Sequence, residues 1–292
     1  MHKKPLSPSE LILNPDGSIY HLNLKPSELA NTIITVGDPD RVGEVSKYFD
    51  TIETEVHKRE FKTHTGTLDG TRISVISTGI GTDNIDIVFN EIDALVNIDF
   101  ETRTIKNELT SLEIIRIGTS GAIQAEIIVD SFLISETAIG FDNLIHFYGN
   151  TSFLDTDFSE AFINHSKWNT NKSVPYVVSA DESLLKRFNS DKMFKGCTAT
   201  NVGFYGPQGR ILRLALEDKN LNDKLASFEF NGKKITNLEM ETSGIYGLAK
   251  LLGHKALSLN AILANRADGT FSEQPLKTVD SLIKYTLEKL TR

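Results

Sequence analysis

The stretch SGIYGLAKLLGHKALSLNAILANR (residues 243–266) contains a helix signal that is followed directly by a strand signal. Residues 243–253 are predicted to form a helix, and Gly253 is a usual C-terminal stop for one. Residues 255–266 are predicted to form a strand. A helix that leads straight into a strand is the repeating unit of layered α/β proteins.

The same alternation continues towards both ends of the chain. Strands are predicted within residues 31–42, 71–81, 112–123, 131–140, 173–180 and 196–204, and helices at residues 85–98 and 278–290. This pattern predicts an α/β fold with a largely parallel or mixed sheet. No repeat, linker or break in composition divides it. One domain is therefore predicted for residues 21–292, after an irregular lead-in at residues 1–20 that is rich in Pro, Ser and Asn.

Composition limits the classes of partner and compartment. The net charge of -8 over 292 residues argues against nucleic acid or an anionic membrane surface as a partner. Cys197 is the only cysteine, which excludes an intrachain disulfide and suits a reducing compartment. The sequence has no cluster of zinc ligands, no secretory signal and no run of about 20 apolar residues. The chain is therefore expected to be soluble and cytoplasmic.

Several of the predicted strands end in glycine-rich segments that suit an anion. They are VGDPDRV (36–42), STGIG (77–81) and RIGTSGA (116–122). Backbone N–H groups in such turns form concave anion sites, and the guanidinium groups of Arg41 and Arg116 add forked donors of fixed charge. Each motif alone is typical of an ordinary turn. Their joint occurrence on an α/β pattern predicts a phosphate-sized anion site.

A fourth strand end, NLEMETSG (237–244), carries two carboxylates. Glu239 and Glu241 lie two positions apart, with Met240 between them. If this stretch is extended, both carboxylates point to the same side, because side chains alternate along a strand. Either the pair is a solvated strand end, or a group rich in hydrogen-bond donors lies against it, because two like charges on a half-buried edge are otherwise unfavourable.

From residue 19 to the C-terminus the chain resembles the nucleoside phosphorylase-I family, and within it the uridine phosphorylases. YHLNL, VGDPDRV, REF, STGIG, RIGTSGAI, FYGPQGR, NLEMETSG and ANR occur in the order of the family's motifs. FYGPQGR is the specific one, because its Gln and Arg spacing is the family's pyrimidine-reading motif. The resemblance implies a single α/β domain with a central mixed β-sheet flanked by helices, and homodimers with shared active sites that assemble to a hexamer.

The activity that the resemblance implies is reversible phosphorolysis of uridine, and of other pyrimidine nucleosides where they are tolerated, to uracil and α-D-ribose 1-phosphate. Inorganic phosphate is the co-substrate and no cofactor is expected. Gln208, Arg210, Arg116 and Glu241 are the implied catalytic residues. The implied phosphate-binding residues are Gly37, Arg41, Arg59, Arg116 and Thr119. The implied nucleoside-binding residues are His21, Ser120, Gly121, Phe204, Gln208, Arg210, Glu239, Met240, Glu241 and Arg266. Of these, His21 and Arg59 resemble residues that reach the neighbouring subunit's substrate.

The chain also departs from the family pattern. Glu60 and Ile80 match positions that contact a monovalent cation in some relatives, but Asn84 stands where a serine is usual, which argues against potassium and leaves no metal site expected. Residues 99–112 resemble an insertion or a lengthened helix end. A purine-specific relative would carry Ser-Asp near Asn265 and Arg266, and Asp268 lies two residues too late for that role.

Three alternatives to uridine phosphorolysis stay open at this point. A nucleosidase of the same fold would use water in place of phosphate, and three arginines at the anion site would then have no clear purpose. A purine nucleoside phosphorylase of the same fold is disfavoured by Asn265-Arg266. A nucleoside-binding protein without catalysis would be expected to lack at least one of the implied site residues. The tolerance for thymidine or deoxyuridine is not decided by the sequence.

Overall fold

The computed structural model describes residues 4–292, in which the chain forms 14 strands and seven α-helices. The strands are β1 (Thr32–Val36), β2 (Thr51–Lys58), β3 (Phe61–Leu68), β4 (Thr71–Ser77), β5 (Ile98–Asp99), β6 (Thr104–Ile105), β7 (Glu113–Ala122), β8 (Phe132–Gly140), β9 (Tyr176–Ser179), β10 (Met193–Thr200), β11 (Glu229–Phe230), β12 (Lys233–Glu239), β13 (Lys255–Asn265) and β14 (Thr270–Phe271). The helices are α1 (Pro39–Ser46), α2 (Thr82–Asn97), α3 (Thr156–Ser166), α4 (Glu182–Phe188), α5 (Leu221–Ser227), α6 (Thr242–Leu252) and α7 (Pro275–Thr291).

Most of the strands belong to one mixed sheet of 12 strands. Its main path runs β11-β12-β10-β8-β13-β7-β1-β4-β3-β2, and β9 and β14 add to β8 and β13. Strand β12 also pairs with β7, so β7, β13, β8, β10 and β12 close into a small barrel. Parallel pairs such as β1–β7 and β13–β7 stand beside antiparallel pairs such as β13–β8. The predicted α/β fold with a mixed sheet is confirmed.

The main core lies between the sheet and its flanking helices. Helix α2 is typical: Ile85, Val88, Phe89, Ile92 and Leu95 recur at helical spacing, and all five side chains are fully buried. Each such burial contributes about 1.5–3 kcal/mol to folding. The buried face of α2 packs on α6, which in turn lies against β8 and β13. Helix α6 ends at Gly253 in the left-handed conformation (φ +77°), as the sequence predicts.

Three local predictions were wrong. The GTSG segment (118–121) is not a turn after a strand, because β7 continues through it while pairing with β13 and β12. Of the two interpretations of residues 99–112, the lengthened helix end is wrong, because α2 ends at Asn97 and residues 98–105 form the β5–β6 hairpin; the insertion stays a prediction. Strand β10 ends at Thr200 rather than at Phe204, where the strand's pairing with β8 and β12 stops.

The lead-in is irregular in residues 4–20 but is held against the domain. Its backbone forms one isolated bridge, between Leu13 and Ile19, and Leu11 and Ile19 belong to the main core. The side chain of Arg103, in the turn of the β5–β6 hairpin, donates from Nε to the carbonyl of Leu6 at 2.8 Å. Residues 1–3 of the expected lead-in lie outside the described residues. No helix within residues 4–292 has the length and apolar character needed to cross a bilayer.

Candidate active site

A cavity of about 740 Å³ opens where the C-terminal ends of β1, β4, β12 and β13 meet the glycine-rich end of β7. Clefts at the carboxyl ends of strands are the usual place for ligands in open α/β sheets. The cavity wall contains 12 of the implied site residues: Gly37, Arg41, Arg116, Thr119, Ser120, Gly121, Phe204, Gln208, Arg210, Glu239, Met240 and Glu241.

The two carboxylates of NLEMETSG converge, although not as alternate positions of one strand. Strand β12 ends at Glu239, and Glu241 is the residue before the first turn of α6. The segment is therefore a strand as far as Glu239 and no longer one at Glu241. Both side chains nevertheless reach the same guanidinium, because Nη2 of Arg116 lies 3.2 Å from Glu239 and 2.6 Å from Glu241. Arg116 is the donor that the paired carboxylates required.

The carboxylate oxygens of Glu239 already accept hydrogen bonds from other groups of the protein. They accept from the backbone N–H groups of Glu241 and Thr242, both at 2.9 Å, and from the Thr200 hydroxyl at 2.6 Å. A carboxylate on the first free N–H groups of a helix is favoured by the helix dipole. Glu239 therefore holds the start of α6, and with it Glu241, in place.

Glu241 keeps acceptor capacity for a ligand. Its Oε1 accepts from the backbone N–H of Gly81 at 2.9 Å, and its Oε2 accepts from Arg116 at 2.6 Å. Each carboxylate oxygen can accept a second hydrogen bond. Burial raises the pKa of Glu241, Arg116 opposes this rise, and Glu239 adds to it.

Arg116 forms the floor of the cavity. Its Nη1 donates to Asn260 Oδ1 at 3.0 Å and to Ser258 Oγ at 3.3 Å, on the neighbouring strand β13. Burial disfavours the charged guanidinium, but Glu239 and Glu241 outweigh it and the pKa of Arg116 is raised. Gly118 provides the space: a Cβ at this position would lie 1.8 Å from Nη1 of Arg116.

The anion end of the cavity is built on the β1–α1 turn. Asp38 caps α1 by accepting from the backbone N–H of Asp40, and Arg41 follows in the first turn. Within residues 4–292 no hydrogen bond or ion pair is formed by the Arg41 guanidinium. Burial lowers the pKa of Arg41, and the nearby cation Arg116 lowers it further. A partly buried guanidinium beside a second cation favours an anionic ligand.

The other end of the cavity carries an oriented side-chain amide. Gln208 is buried, and its Oε1 accepts from Arg210 at 2.7 Å. Because a guanidinium only donates, this contact directs the Gln208 amide N–H group away from Arg210. Arg210 also lies over the ring of Phe204, 3.8 Å from its centroid, and Arg266 donates to the backbone carbonyl of Gln208 at 2.6 Å. Arg266 therefore supports this end from behind and does not line the cavity.

His21 and Arg59 lie outside the cavity of their own chain. His21 is paired with Glu91 at 2.7 Å, and its ring is 4.7 Å from that of Tyr20. Arg59 is exposed, in the left-handed conformation, and lies over the same Tyr20 ring at 5.7 Å. The structure therefore gathers these two residues around Tyr20, and we refer to Tyr20, His21 and Arg59 as the Tyr20 patch.

Three residues match positions that contact a monovalent cation in some relatives, and the absence of a cation from them stays a prediction. Glu60, Ile80 and Asn84 all line the cavity. The amide of Asn84 donates to the carbonyl of Ile80 at 3.3 Å. Residues 4–292 also contain no group of three or more His, Cys, Asp or Glu side chains arranged for a metal.

Some cavity and support residues had not been expected. Asp38, Leu263, Ala264 and Phe271 line the wall, and Asn260 lies behind Arg116. The sequence carries a signal for Asn260, since it is a polar residue within the apolar run of β13. We find no comparable signal for Phe271.

The chain matches one family model, described as the phosphorylase superfamily, over residues 31–289. The chain belongs to the phosphorylase superfamily. Within this superfamily it is similar to a uridine phosphorylase of Thermococcus kodakarensis, with 29% identity over 88% of this chain and 81% of that protein. It is also similar to a DeoD-type purine nucleoside phosphorylase of Listeria welshimeri, with 27% identity over 92% of this chain and 97% of that protein.

A solved structure of the phosphorylase superfamily agrees with the fold over nearly the whole chain. The crystal structure of a Trypanosoma brucei nucleoside phosphorylase, described as showing uridine phosphorylase activity, matches with a TM-score of 0.86 and 31% identity. The match covers 96% of this chain and 99% of that one. The resemblance to nucleoside phosphorylases is therefore confirmed at the level of family and fold.

Proposed function

We propose that this phosphorylase superfamily member is a uridine phosphorylase, a pentosyltransferase that converts uridine and phosphate reversibly to uracil and α-D-ribose 1-phosphate. The observation that carries the proposal is the Gln208 amide, fixed by Arg210 at the end of the cavity away from the anion end. A side-chain amide can accept from N3–H and donate to O2 of uracil at once. The similarity to proteins named uridine phosphorylase supports the same substrate.

The residues supply electrostatics and orientation to an inverting displacement. Phosphate at Arg41, Thr119 and the Gly37 backbone attacks C1′ of the ribose from the face opposite the base. A phosphate oxygen bonds to C1′ as the bond from C1′ to N1 breaks, and the bonding electrons leave with uracil. Glu241 accepts from the ribose hydroxyls and stabilises positive charge at C1′, while Arg210 and Gln208 stabilise the anionic base.

The end of the cavity at Gln208, where the base is proposed to bind, disfavours a purine. Asn265, near the position of the acid in purine-specific relatives, is buried and donates to the carbonyls of Gln124 and Ile127. Asp268 is on the surface, where it accepts from Thr270. Neither side chain lines the cavity. Protonation of a purine at N7 therefore has no candidate acid at this end.

Uracil release should require phosphate and should be fastest with uridine. We expect release from uridine in phosphate or arsenate buffer, and none when both anions are omitted. Parallel assays with thymidine, deoxyuridine and inosine define the substrate range. Steady uracil release without either anion would support a nucleosidase, faster release of hypoxanthine from inosine would support a purine nucleoside phosphorylase, and no turnover of any nucleoside would support a binding protein.

Replacing Gln208 with alanine should lower kcat/KM for uridine by about 30- to 1,000-fold. The reason is that two polar groups of a buried uracil lose their partner, at a cost of roughly 2–4 kcal/mol. The KM for phosphate serves as the internal control and should stay within about twofold, because Gln208 lies at the other end of the cavity. Unchanged uridine kinetics would remove Gln208 from the site.

We further propose that the Tyr20 patch completes the active site of a neighbouring subunit in a homodimer. Its two basic residues lie outside their own chain's cavity, yet Arg59 directly precedes Glu60 in the cavity wall. A two-fold interface that places this patch opposite the cavity of a second copy would bring Arg59 to the phosphate and His21 to the sugar. Assembly of such dimers to a hexamer, and a cytoplasmic location, remain predictions from the sequence.

Mixing two inactive variants should restore activity if the site is shared. Chains with Arg59→Ala and chains with Glu241→Ala form mixed dimers in which one site carries both defects and the other carries neither. Each mixed dimer should therefore show about half of the wild-type activity, by the geometry of a two-fold interface. Differently tagged chains confirm subunit exchange. If exchange occurs and no activity returns, both residues serve the same chain's site and the shared-site proposal is wrong.

A further inference from the structure

A row of buried polar side chains crosses the interior of the barrel from Arg116 to Ser120. Arg116 contacts Asn260 on β13 at 3.0 Å, and Asn260 contacts Ser135 on β8 at 3.1 Å. Ser135 contacts Thr198 on β10 at 2.5 Å. Thr198 contacts Asn237 on β12 at 2.9 Å, and Asn237 contacts Ser120 on β7 at 3.0 Å. We call these six residues the barrel relay.

The hydrogen bonds of the barrel relay run in one direction. A guanidinium only donates, so Asn260 turns Oδ1 to Arg116 and its Nδ2 donates to Ser135. The single hydroxyl proton of Thr198 goes to Asn237, so the proton between Ser135 and Thr198 is donated by Ser135. Thr198 in turn donates to Oδ1 of Asn237, whose Nδ2 donates to Ser120. Each of the five contacts between Arg116 and Ser120 therefore has one donor and one acceptor.

The Ser120 hydroxyl is the last group of the relay. The oxygen of Ser120 accepts from Asn237, and no acceptor for its proton is recorded among residues 4–292. Ser120 lines the cavity and is 8% exposed, whereas Ser135, Thr198, Asn237 and Asn260 are fully buried. The last proton of the relay therefore has only the cavity as a place for an acceptor.

Not every buried hydroxyl of the barrel belongs to such a hydrogen-bond network. Thr137, two residues after Ser135 on β8, is also buried, and its hydroxyl has no partner among the described residues. Every polar side-chain group of the relay that is buried is satisfied. A chain of aligned hydrogen bonds polarises each successive donor, so the last hydroxyl is a stronger donor than an isolated serine.

We propose that Ser120 donates its hydroxyl proton in a hydrogen bond to an acceptor of the departing pyrimidine, and that Asn260, Ser135, Thr198 and Asn237 are positioning residues that hold and polarise it. This inference rests on the proposed function. Ser120 follows Thr119 of the anion end on β7 and precedes Gly121, where a Cβ would lie 3.9 Å from Arg266. Ser120 therefore lies in the cavity wall between a residue of the anion end and a residue close to Arg266, which supports the Gln208 end. The hydrogen bond strengthens as negative charge builds on the leaving base.

The test uses two substrates that differ in leaving group. 5-Fluorouracil is a more stable anion than uracil, so 5-fluorouridine depends less on donors to the base. Thr198→Val interrupts the relay without changing the cavity wall, and it should lower kcat for uridine roughly tenfold, the size of one well-placed hydrogen bond. The loss for 5-fluorouridine should be less than about threefold. Ser120→Ala should show the same selectivity, and adding Thr198→Val to it should produce no further change in the uridine to 5-fluorouridine ratio.

Thr137→Val is the matched control. It is the same substitution at a buried threonine of the same barrel, but its hydroxyl has no partner. The kinetics of this variant should equal those of the wild type. Ser135→Ala, which removes only one hydroxyl, replaces Thr198→Val if the latter does not fold.

Equal losses for uridine and 5-fluorouridine, or no loss, would overturn the inference and leave the proposed function intact. A wild-type protein that releases no uracil from uridine in phosphate would overturn the proposed function itself, and the inference with it.

Discussion

Replacing Gly118 with alanine should reduce uridine phosphorolysis by at least about a thousandfold while leaving a folded protein. The new Cβ would lie 1.8 Å from Nη1 of Arg116, so the guanidinium must move. The guanidinium is the far end of a flexible side chain, and the backbone of β7 can therefore remain in place. Its contacts with Glu241 and Asn260 would be lost. Loss of one preorganised electrostatic group costs about 10²- to 10³-fold in rate, and the misplaced Glu241 adds to it.

The same substitution should lower the free energy of unfolding by about 3 kcal/mol, because it separates a buried cation from two buried carboxylates. Gly43→Ala in α1 is the matched control. Apart from its chain neighbours and the backbone of its own helix, its Cβ would meet no atom within 4 Å, so alanine should be neutral or stabilise the helix by about 0.5–1 kcal/mol. Urea unfolding and initial rates of uracil release measure both effects. If Gly118→Ala keeps activity within about threefold of the wild type, Arg116 does not need its observed position.

The sequence predicted the parts of the fold that have strong local patterns. The strands of the buried sheet, such as β1 and β13, are apolar runs, and α2 and α7 have apolar residues at helical spacing. Strand β2 was not predicted, because it lies at the edge of the sheet and none of its eight residues is buried. Helix α1 was taken for a turn, since Gly37 to Pro39 suits both a turn and the capped start of a helix.

The closure of the barrel could not be predicted from local patterns. It depends on pairing between β12 and β7, which brings Leu238 opposite Gly121 across more than a hundred residues of sequence. That pairing is also why the GTSG segment stays in a strand. The anion site and the acid pair were predicted as separate features, whereas in the structure they share Arg116. A side chain that belongs to two features at once is visible only when the strands are brought together.

The polar residues of the barrel were present in the sequence as exceptions to a rule. Ser135, Thr198, Asn237 and Asn260 are fully buried, whereas polar residues of these types are mostly exposed in folded proteins. A single exception of this kind is uninformative, because a buried hydroxyl can also be left without a partner, as Thr137 is. Their meaning depends on the order of strands in the barrel, which places them next to one another.

Replacing Glu241 with glutamine should lower kcat for uridine by about 100-fold and change KM much less. The carboxylate charge that stabilises positive charge at C1′ is removed, and its effect is greatest in the transition state. The side chain also meets a mismatch of donors. Both neighbours of Glu241, the Gly81 N–H and Arg116 Nη2, donate to it, so the glutamine NH₂ group must face one of them. A loss of about 1–3 kcal/mol in the free energy of unfolding should accompany the kinetic effect.

Two further measurements separate the charge of Glu241 from its shape. Deoxyuridine lacks the 2′-hydroxyl and should lose less activity in the variant than uridine does. Because burial raises the pKa of Glu241, protonation on the acid side should reduce wild-type activity at a pH above the ordinary range of a glutamate. The glutamine variant cannot titrate, so the acid limb of its pH–rate profile should be absent or shifted.

Glu101→Gln, at an exposed position of the β5–β6 hairpin, is the control and should leave rate and stability unchanged. An effect of Glu241→Gln on KM alone, with an unaltered acid limb, would mean that Glu241 binds the sugar without stabilising the transition state.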